Sequence, residues 1–311
     1  MLLPLVLGLA GLAVGGLLLN AWAERQLLQP DAHYPPPTLP PAAPGVVRLV
    51  CAGDSLTHGN MSAPYVPHVA ARLVPHGVEV FNAGINADLA ETLLARLDDV
   101  VAARPDFVSV LIGTNDINAA LSPADLARYR SRGKLRAPEP PSPATFRRHL
   151  TALVHRLRAE TPAQVALISL PPLGENLDHD ANRRANEYSA IIREVALAEG
   201  AAYLPLREQL VAELRARPGR ARADFGRTTL LIRLAMLRHY LLGHSWDRIA
   251  ARLGHRFLTD NLHLNGPAAA ILADLVASWV ERELALQPAA EASAPVVAPV
   301  AADSAVAARR S

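Results

Sequence analysis

Val46-Val47-Arg48-Leu49-Val50-Cys51-Ala52-Gly53-Asp54-Ser55-Leu56-Thr57 is the stretch that decides the fold. Val46–Cys51 is a short, mostly apolar run rich in β-branched residues, the mark of a strand covered on both faces. Gly53-Asp54-Ser55 then turns the chain into a helix. A serine at such a turn has an exposed hydroxyl, and its backbone N–H points to a helix N-terminus that favours negative charge. Taken alone, Gly-Asp-Ser is equally a plain helix cap, so its meaning rests on what surrounds it.

Outward from this stretch the same pattern recurs. Val78–Phe81, Phe107–Ile112, Val165–Leu170 and Ala201–Leu204 read as further buried strands, and Leu89–Ala103, Thr145–Glu160 and Ala181–Glu199 as helices between them. Strand and helix alternating in this way predict an α/β domain of three α/β/α layers around a mostly parallel, about five-stranded sheet. In such sheets the working residues lie in loops at the carboxyl ends of the strands. Here those loops carry Gly53-Asp54-Ser55, Asn82-Ala83-Gly84 and Gly113-Thr114-Asn115-Asp116, and the domain closes on Asp260-Asn261-Leu262-His263 before a last helix.

These four ordered blocks resemble the SGNH hydrolases, also called GDSL esterases and lipases, and the resemblance spans nearly all of residues 46–286. It implies a flavodoxin-like fold and a serine esterase. Ser55 would attack an acyl carbonyl, His263 would take and return the proton, and Asp260 would hold the imidazole in its useful tautomer. The backbone N–H groups of Ser55 and Gly84 and the Asn115 amide would receive the oxyanion. The chemistry asks for no cofactor and no metal. Its substrates would be acyl esters of small alcohols, lipids or sugars. An O-acyltransferase with the same triad and a catalytically silent binding module are the alternatives.

Asp54 and Asp116 adjoin the site, and the resemblance implies that they mainly fix loops. His58 is expected to be a solvated helix residue, and His239, His244 and His255 lack the spacing of metal ligands. Cys51, the single cysteine, sits in an apolar run and reads as a buried structural thiol. A formal charge of +2 over 311 residues gives no reason to expect a nucleic-acid partner. Ser245–Gly254 resembles the first helix of a helix-turn-helix, but no recognition helix follows it.

The ends differ from the middle. Leu2–Leu19 is apolar throughout and reaches the ~18 residues at which a membrane span becomes plausible. Residues 1–23 therefore read as an N-terminal membrane anchor, with a signal peptide cleaved near Ala23 as the alternative. The resemblance implies that the hydrolase domain of an anchored chain is extracytoplasmic, with a secreted or periplasmic domain after cleavage as the alternative. Residues 24–44 are a proline-rich linker expected to be extended. The hydrolase domain covers 45–286, with a helical insert at about 207–258, and 287–311 read as a disordered tail. Asn118–Pro143 is expected to be a loop near the site opening.

Overall fold

The computed structural model describes residues 29–36, 38–217 and 224–293, the last eight of them as backbone only. Five strands, β1 (Val47–Gly53), β2 (Val78–Gly84), β3 (Phe107–Leu111), β4 (Gln164–Ile168) and β5 (Ala202–Leu204), form one parallel sheet ordered β2-β1-β3-β4-β5. The chain first moves to one side of β1 and then returns to pair β3 on the other. That reversal opens a crevice at the carboxyl ends of β1 and β3, where ligands of open parallel sheets bind. Ser55 follows β1 and Asn115 follows β3, so the sheet order alone brings the two loops together.

Helices cover both faces of the sheet. α1 (Ser55–His58) is a single turn immediately after β1, and α2 (Val66–Leu73) packs on β2 and on the last helix. α3 (Ala90–Ala95) and α4 (Leu97–Ala102) precede β3, with α5 (Thr114–Ala119) and α6 (Pro123–Ser131) after it. α7 (Pro143–Glu160) and α8 (Asp180–Ala198) flank β4, and Phe146 meets Tyr188 between them at 4.7 Å. α9 (Leu206–Ala216), α10 (Thr228–Tyr240), α11 (Trp246–Leu253) and α12 (Gly266–Ser293) complete the domain. Trp279 of α12 stands edge-on to Phe107 of β3 at 5.4 Å.

Four segments differ from their sequence reading. The helix expected over Leu89–Ala103 breaks at Arg96, whose guanidinium turns inward to the Gly53 and Ala83 carbonyls at the ends of β1 and β2. The expected loop Asn118–Pro143 contains α6, begun by the Ser122 hydroxyl accepting from the Asp125 N–H. The described part of the proline-rich linker lies on the domain instead of standing away from it. Pro35 is buried, the His33 carbonyl accepts from the Asn82 N–H, and the Pro40 carbonyl accepts from buried Arg48. α12 runs past the expected boundary at 286 to Ser293. The apolar run Leu2–Leu19 and the tail 294–311 lie outside the described residues. Among the described ones no helix is long and apolar enough to cross a membrane.

β1 and β2 end side by side, with Gly53 paired to Gly84. A Cβ on Gly84 would lie 2.2 Å from the His58 nitrogen and 2.6 Å from the Thr57 carbonyl carbon. Backbone cannot yield as a side-chain tip can, so Gly84→Ala is expected to displace α1 and destabilise the domain by ~1–3 kcal/mol, the usual cost of overpacking. Urea unfolding of the two proteins measures the difference.

Candidate active site

Ser55 is the first residue of α1, and the Asp54 carboxylate caps the turn by accepting the Leu56 N–H at 2.9 Å. The Gly59 N–H closes it onto the Ser55 carbonyl at 3.1 Å. Within this tight turn no acceptor meets the Ser55 N–H among the described residues. The hydroxyl points across the crevice, with Oγ 3.0 Å from Nε2 of His263. On the other side of the ring, Nδ1 is 2.9 Å from Asp260 Oδ2. Asp260 Oδ1 accepts the N–H groups of Leu262 and His263 at 2.6 and 2.9 Å, so the carboxylate shapes the loop as well as the ring. The structure thus brings Ser55, His263 and Asp260 into one hydrogen-bonded line.

Burial would lower the pKa of His263, but the charge of Asp260, its hydrogen bond and the charge of Asp54 outweigh that and raise it above the ordinary imidazole value. Ser55 keeps 9% of its surface exposed while His263 keeps 3% and Asp260 1%, so the line is open at the serine and closed behind it.

The 255–265 loop has almost no regular structure, and its position comes from elsewhere. Glu175, in the loop after β4, accepts the N–H groups of Arg256, Phe257 and Leu258 at 2.8, 2.6 and 3.1 Å. The Gly174 N–H adds a bond to the Asn261 carbonyl at 2.8 Å. Asn182 of α8 holds this second loop by donating to the carbonyls of Leu173, Gly174 and Asn176. Glu175 and Asn182 escaped the sequence reading. Glu175 was within reach of it, because it follows the carboxyl end of β4.

Asn115 sits at the start of α5, fully inside the crevice. Its amide donates to Asp54 Oδ2 at 3.1 Å and to the Asp88 carbonyl at 3.0 Å. The buried Tyr129 hydroxyl of α6 donates to Asn115 Oδ1 at 2.5 Å, which fixes which end of the amide faces Ser55's turn. Asp88 is itself paired with Arg96 at 2.6 Å and Lys134 at 2.7 Å. Burial pushes the Asp54 carboxyl up to about 7, against the Leu56 N–H, the His263 charge and the Asn115 amide. Burial likewise raises Asp116 to about 7, opposed by the Ala90 N–H and reinforced by Asp54 and Glu91.

Gly84 lies where expected, but its N–H donates to Asn82 Oδ1 at 3.0 Å. Three residues on, Ala87 takes a φ of +62°, which a residue with a Cβ seldom adopts. Its N–H meets no acceptor among the described residues. His58 is buried rather than solvated, because Asn82 and the 85–88 loop close over α1. His239 stacks on Trp246 at 3.9 Å, and His255 Nδ1 faces the Leu258 carbonyl at 3.2 Å, both packing roles. Cys51 is fully buried, which pushes its thiol up to about 11. A cavity of about 690 Å³ lined by Arg158, Gln164, Ala201 and Trp279 opens at the amino ends of β4 and β5, the opposite end of the sheet from Ser55.

Comparison with known proteins places this arrangement. The sequence profile of the GDSL-like Lipase/Acylhydrolase family matches residues 51–271. An acetylxylan esterase of Geobacillus stearothermophilus is 34% identical over a stretch covering 22% of this chain and 40% of that protein, so less than half of that relative's length is matched. Two acetylxylan esterase crystal structures share the fold. One has a TM-score of 0.53 at 20% identity and covers 75% of this chain and 100% of its own. The other, from Geobacillus stearothermophilus, has a TM-score of 0.52 at 20% identity and covers 75% and 93%. An α/β hydrolase from the metagenome of Lake Arreo, Spain, matches with a TM-score of 0.52 at 20% identity, covering 75% and 94%.

The buried acids of the crevice make stability depend on pH. A carboxyl whose folded pKa stands near 7 holds a proton that the unfolded chain has released above ~4. Its contribution is complete below ~4 and is lost as pH rises toward 7. Asp116→Asn is therefore expected to narrow the fall in stability between pH 5 and pH 8, read as a smaller shift in the denaturant midpoint. An unchanged shift would mean that Asp116 is ionised throughout.

Proposed function

The chain belongs to the GDSL-like lipase/acylhydrolase family and is an ester-bond hydrolase, and we propose that it works through an acyl-serine on Ser55. The observation that carries this reading is the Ser55–His263–Asp260 line, with bonds of 3.0 and 2.9 Å. Ser55 Oγ attacks the ester carbonyl while His263 Nε2 takes its proton. The resulting oxyanion collapses, the C–O bond to the alcohol breaks, and the imidazolium returns the proton to the leaving oxygen. Water then repeats the sequence on the acyl-serine and frees the acid. Asp260 stabilises the imidazolium at each stage.

We assign the oxyanion to the Ser55 N–H and the Asn115 amide, whose hydrogen toward Asp54 is the one the oxyanion competes for. The Gly84 N–H is held by Asn82 Oδ1, so as a third donor it too would be released to the oxyanion by competition, and Gly84 also serves by letting α1 lie close. The favoured substrate class is a short acyl ester of a sugar, as in the acetylxylan esterases. Variants of the Geobacillus stearothermophilus enzyme described as catalytic mutants replace a serine, an aspartate and a histidine, the last two three residues apart, as Asp260 and His263 are here. Anchoring through Leu2–Leu19, with the domain outside the cytoplasm, remains our reading of the N-terminus.

Ser55→Ala and His263→Ala are each expected to lower kcat/KM on acetylated xylo-oligosaccharides by ~10⁴-fold or more, with the double variant little worse than either. Retention of a tenth of the activity in Ser55→Ala would exclude it as nucleophile. The base acts only when neutral, so activity rises with pH through an ionisation above the ordinary ~6.5. Asp260→Asn is expected to move that limb to lower pH as well as slowing the reaction.

A further inference from the structure

Large apolar side chains left in water gather in one place. Leu230, Leu237, Tyr240, Leu241 and Leu242 are 52, 48, 56, 68 and 60% exposed, and elsewhere among the described residues only Val74 and Leu197 are comparable. On α10 and its C-cap, Leu230, Leu234, Leu237 and Leu241 fall at intervals of four, three and four, which lines them along one side of the helix. The opposite side, with Ile232, Ala235 and Met236, packs on the core. α11 meets α10 through the stack of Trp246 on His239 and leaves the leucine stripe uncovered.

Charge and position narrow what covers it. Between residues 227 and 252 the chain carries Arg227, Arg233, Arg238, Arg248 and Arg252 against one acid, Asp247, which is engaged with the Gly266 N–H. A leucine-lined helix ringed by arginines suits the boundary of an anionic bilayer. The helix also stands over the active site. Asn261, between Asp260 and His263, donates to Thr228 Oγ1 at 3.0 Å, and the Tyr240 hydroxyl donates to the Asn60 carbonyl at 2.7 Å.

The N-terminus enters at this same corner. The Asn82 N–H donates to the His33 carbonyl at 2.9 Å, and the Asn82 side chain donates to the His58 carbonyl, two residues from Asn60. The apolar run Leu2–Leu19 is joined to His33 by a tether able to span at most ~45 Å. We infer that the leucine stripe of α10 docks on the surface of a lipid bilayer, seating the mouth of the active site against it. This goes beyond the proposed function and rests on it for the place of the active site and for the anchor at Leu2–Leu19.

The test uses the full chain carrying Leu237→Cys, labelled with an environment-sensitive fluorophore, and Leu197→Cys as a control on another exposed surface. Cys51 is buried and does not compete for the label. The protein is reconstituted in phosphatidylcholine–phosphatidylglycerol vesicles with plain or brominated acyl chains. Brominated lipid is expected to quench the label at 237 at least twofold more than that at 197, and Arg233→Glu with Arg238→Glu to weaken the quenching. Equal quenching at the two positions overturns the proposal. So does a label at 237 that is already shielded but insensitive to bromine: sedimentation as a dimer would then assign the stripe to a second copy, and as a monomer to the chain's own apolar run. Because the readout is fluorescence, a failure here is distinct from a failure of ester hydrolysis.

Discussion

Glu175 accepts three successive backbone N–H groups, those of Arg256, Phe257 and Leu258, and the geometry of the active site depends on that clamp. The loop it holds has no strand or helix of its own to fix it, apart from the single bridge between Leu258 and Leu264. Yet it must present His263 to a serine 208 residues earlier in the chain. A carboxylate accepting backbone N–H groups supplies strong, charge-assisted bonds, here in a partly buried setting. Behind Glu175 stands Asn182, and behind Asn182 stands buried Arg207, which donates to the Asn182 and Pro171 carbonyls. Burial lowers Arg207 to about 10, still well above neutrality, so the guanidinium stays charged at working pH. Order therefore passes from α9 through α8 to the loop after β4 and on to His263.

The nucleophile side is held by a second polar network with another logic. Here the sheet supplies the frame, since β1, β2 and β3 end together, and side chains only trim it. Arg96 ties the Gly53 carbonyl of β1 and the Ala83 carbonyl of β2 to Asp88, and Asp54 ties the turn of Ser55 to Asn115. Tyr129 then sets the amide of Asn115 the right way round. Held in this way, the amide keeps its two hydrogens toward Asp54 and Asp88, and under the proposed mechanism its donors are oriented before the oxyanion's charge appears.

How far the sequence could be read follows from these two networks. The parallel sheet was legible because short apolar runs alternate with helix-period segments, and Ser55, Asn115, Asp260 and His263 could be picked out as candidates because each stands in a block of recognisable order. The three layers and the family follow from the same signals. What escaped has no local signal. Arg96 breaks an otherwise regular helix only because two carbonyls and Asp88 wait for it across the fold. Tyr129 lies in a proline-flanked segment that reads as a loop, and its value comes entirely from the partner it meets. Gly84 was expected to give its N–H to the oxyanion, and the structure adds that its lack of a Cβ lets Thr57 and His58 lie close. That its N–H would be taken by Asn82 depends on a rotamer, which a sequence does not carry. The linker misled for a similar reason: proline density describes an extended chain, but not whether that chain lies on a surface.

The proposed mechanism requires above all that Ser55 be a nucleophile activated by His263. A fluorophosphonate probe measures it directly, because such reagents phosphonylate a serine only when a neighbouring base has raised its reactivity. Treating the full chain and mapping the adduct by mass spectrometry is predicted to give a single modified residue, Ser55, with labelling abolished in His263→Ala and slowed below the ionisation of the imidazole. Ester hydrolysis by a chain that takes up no probe at Ser55, or that is modified at another residue, would contradict the account.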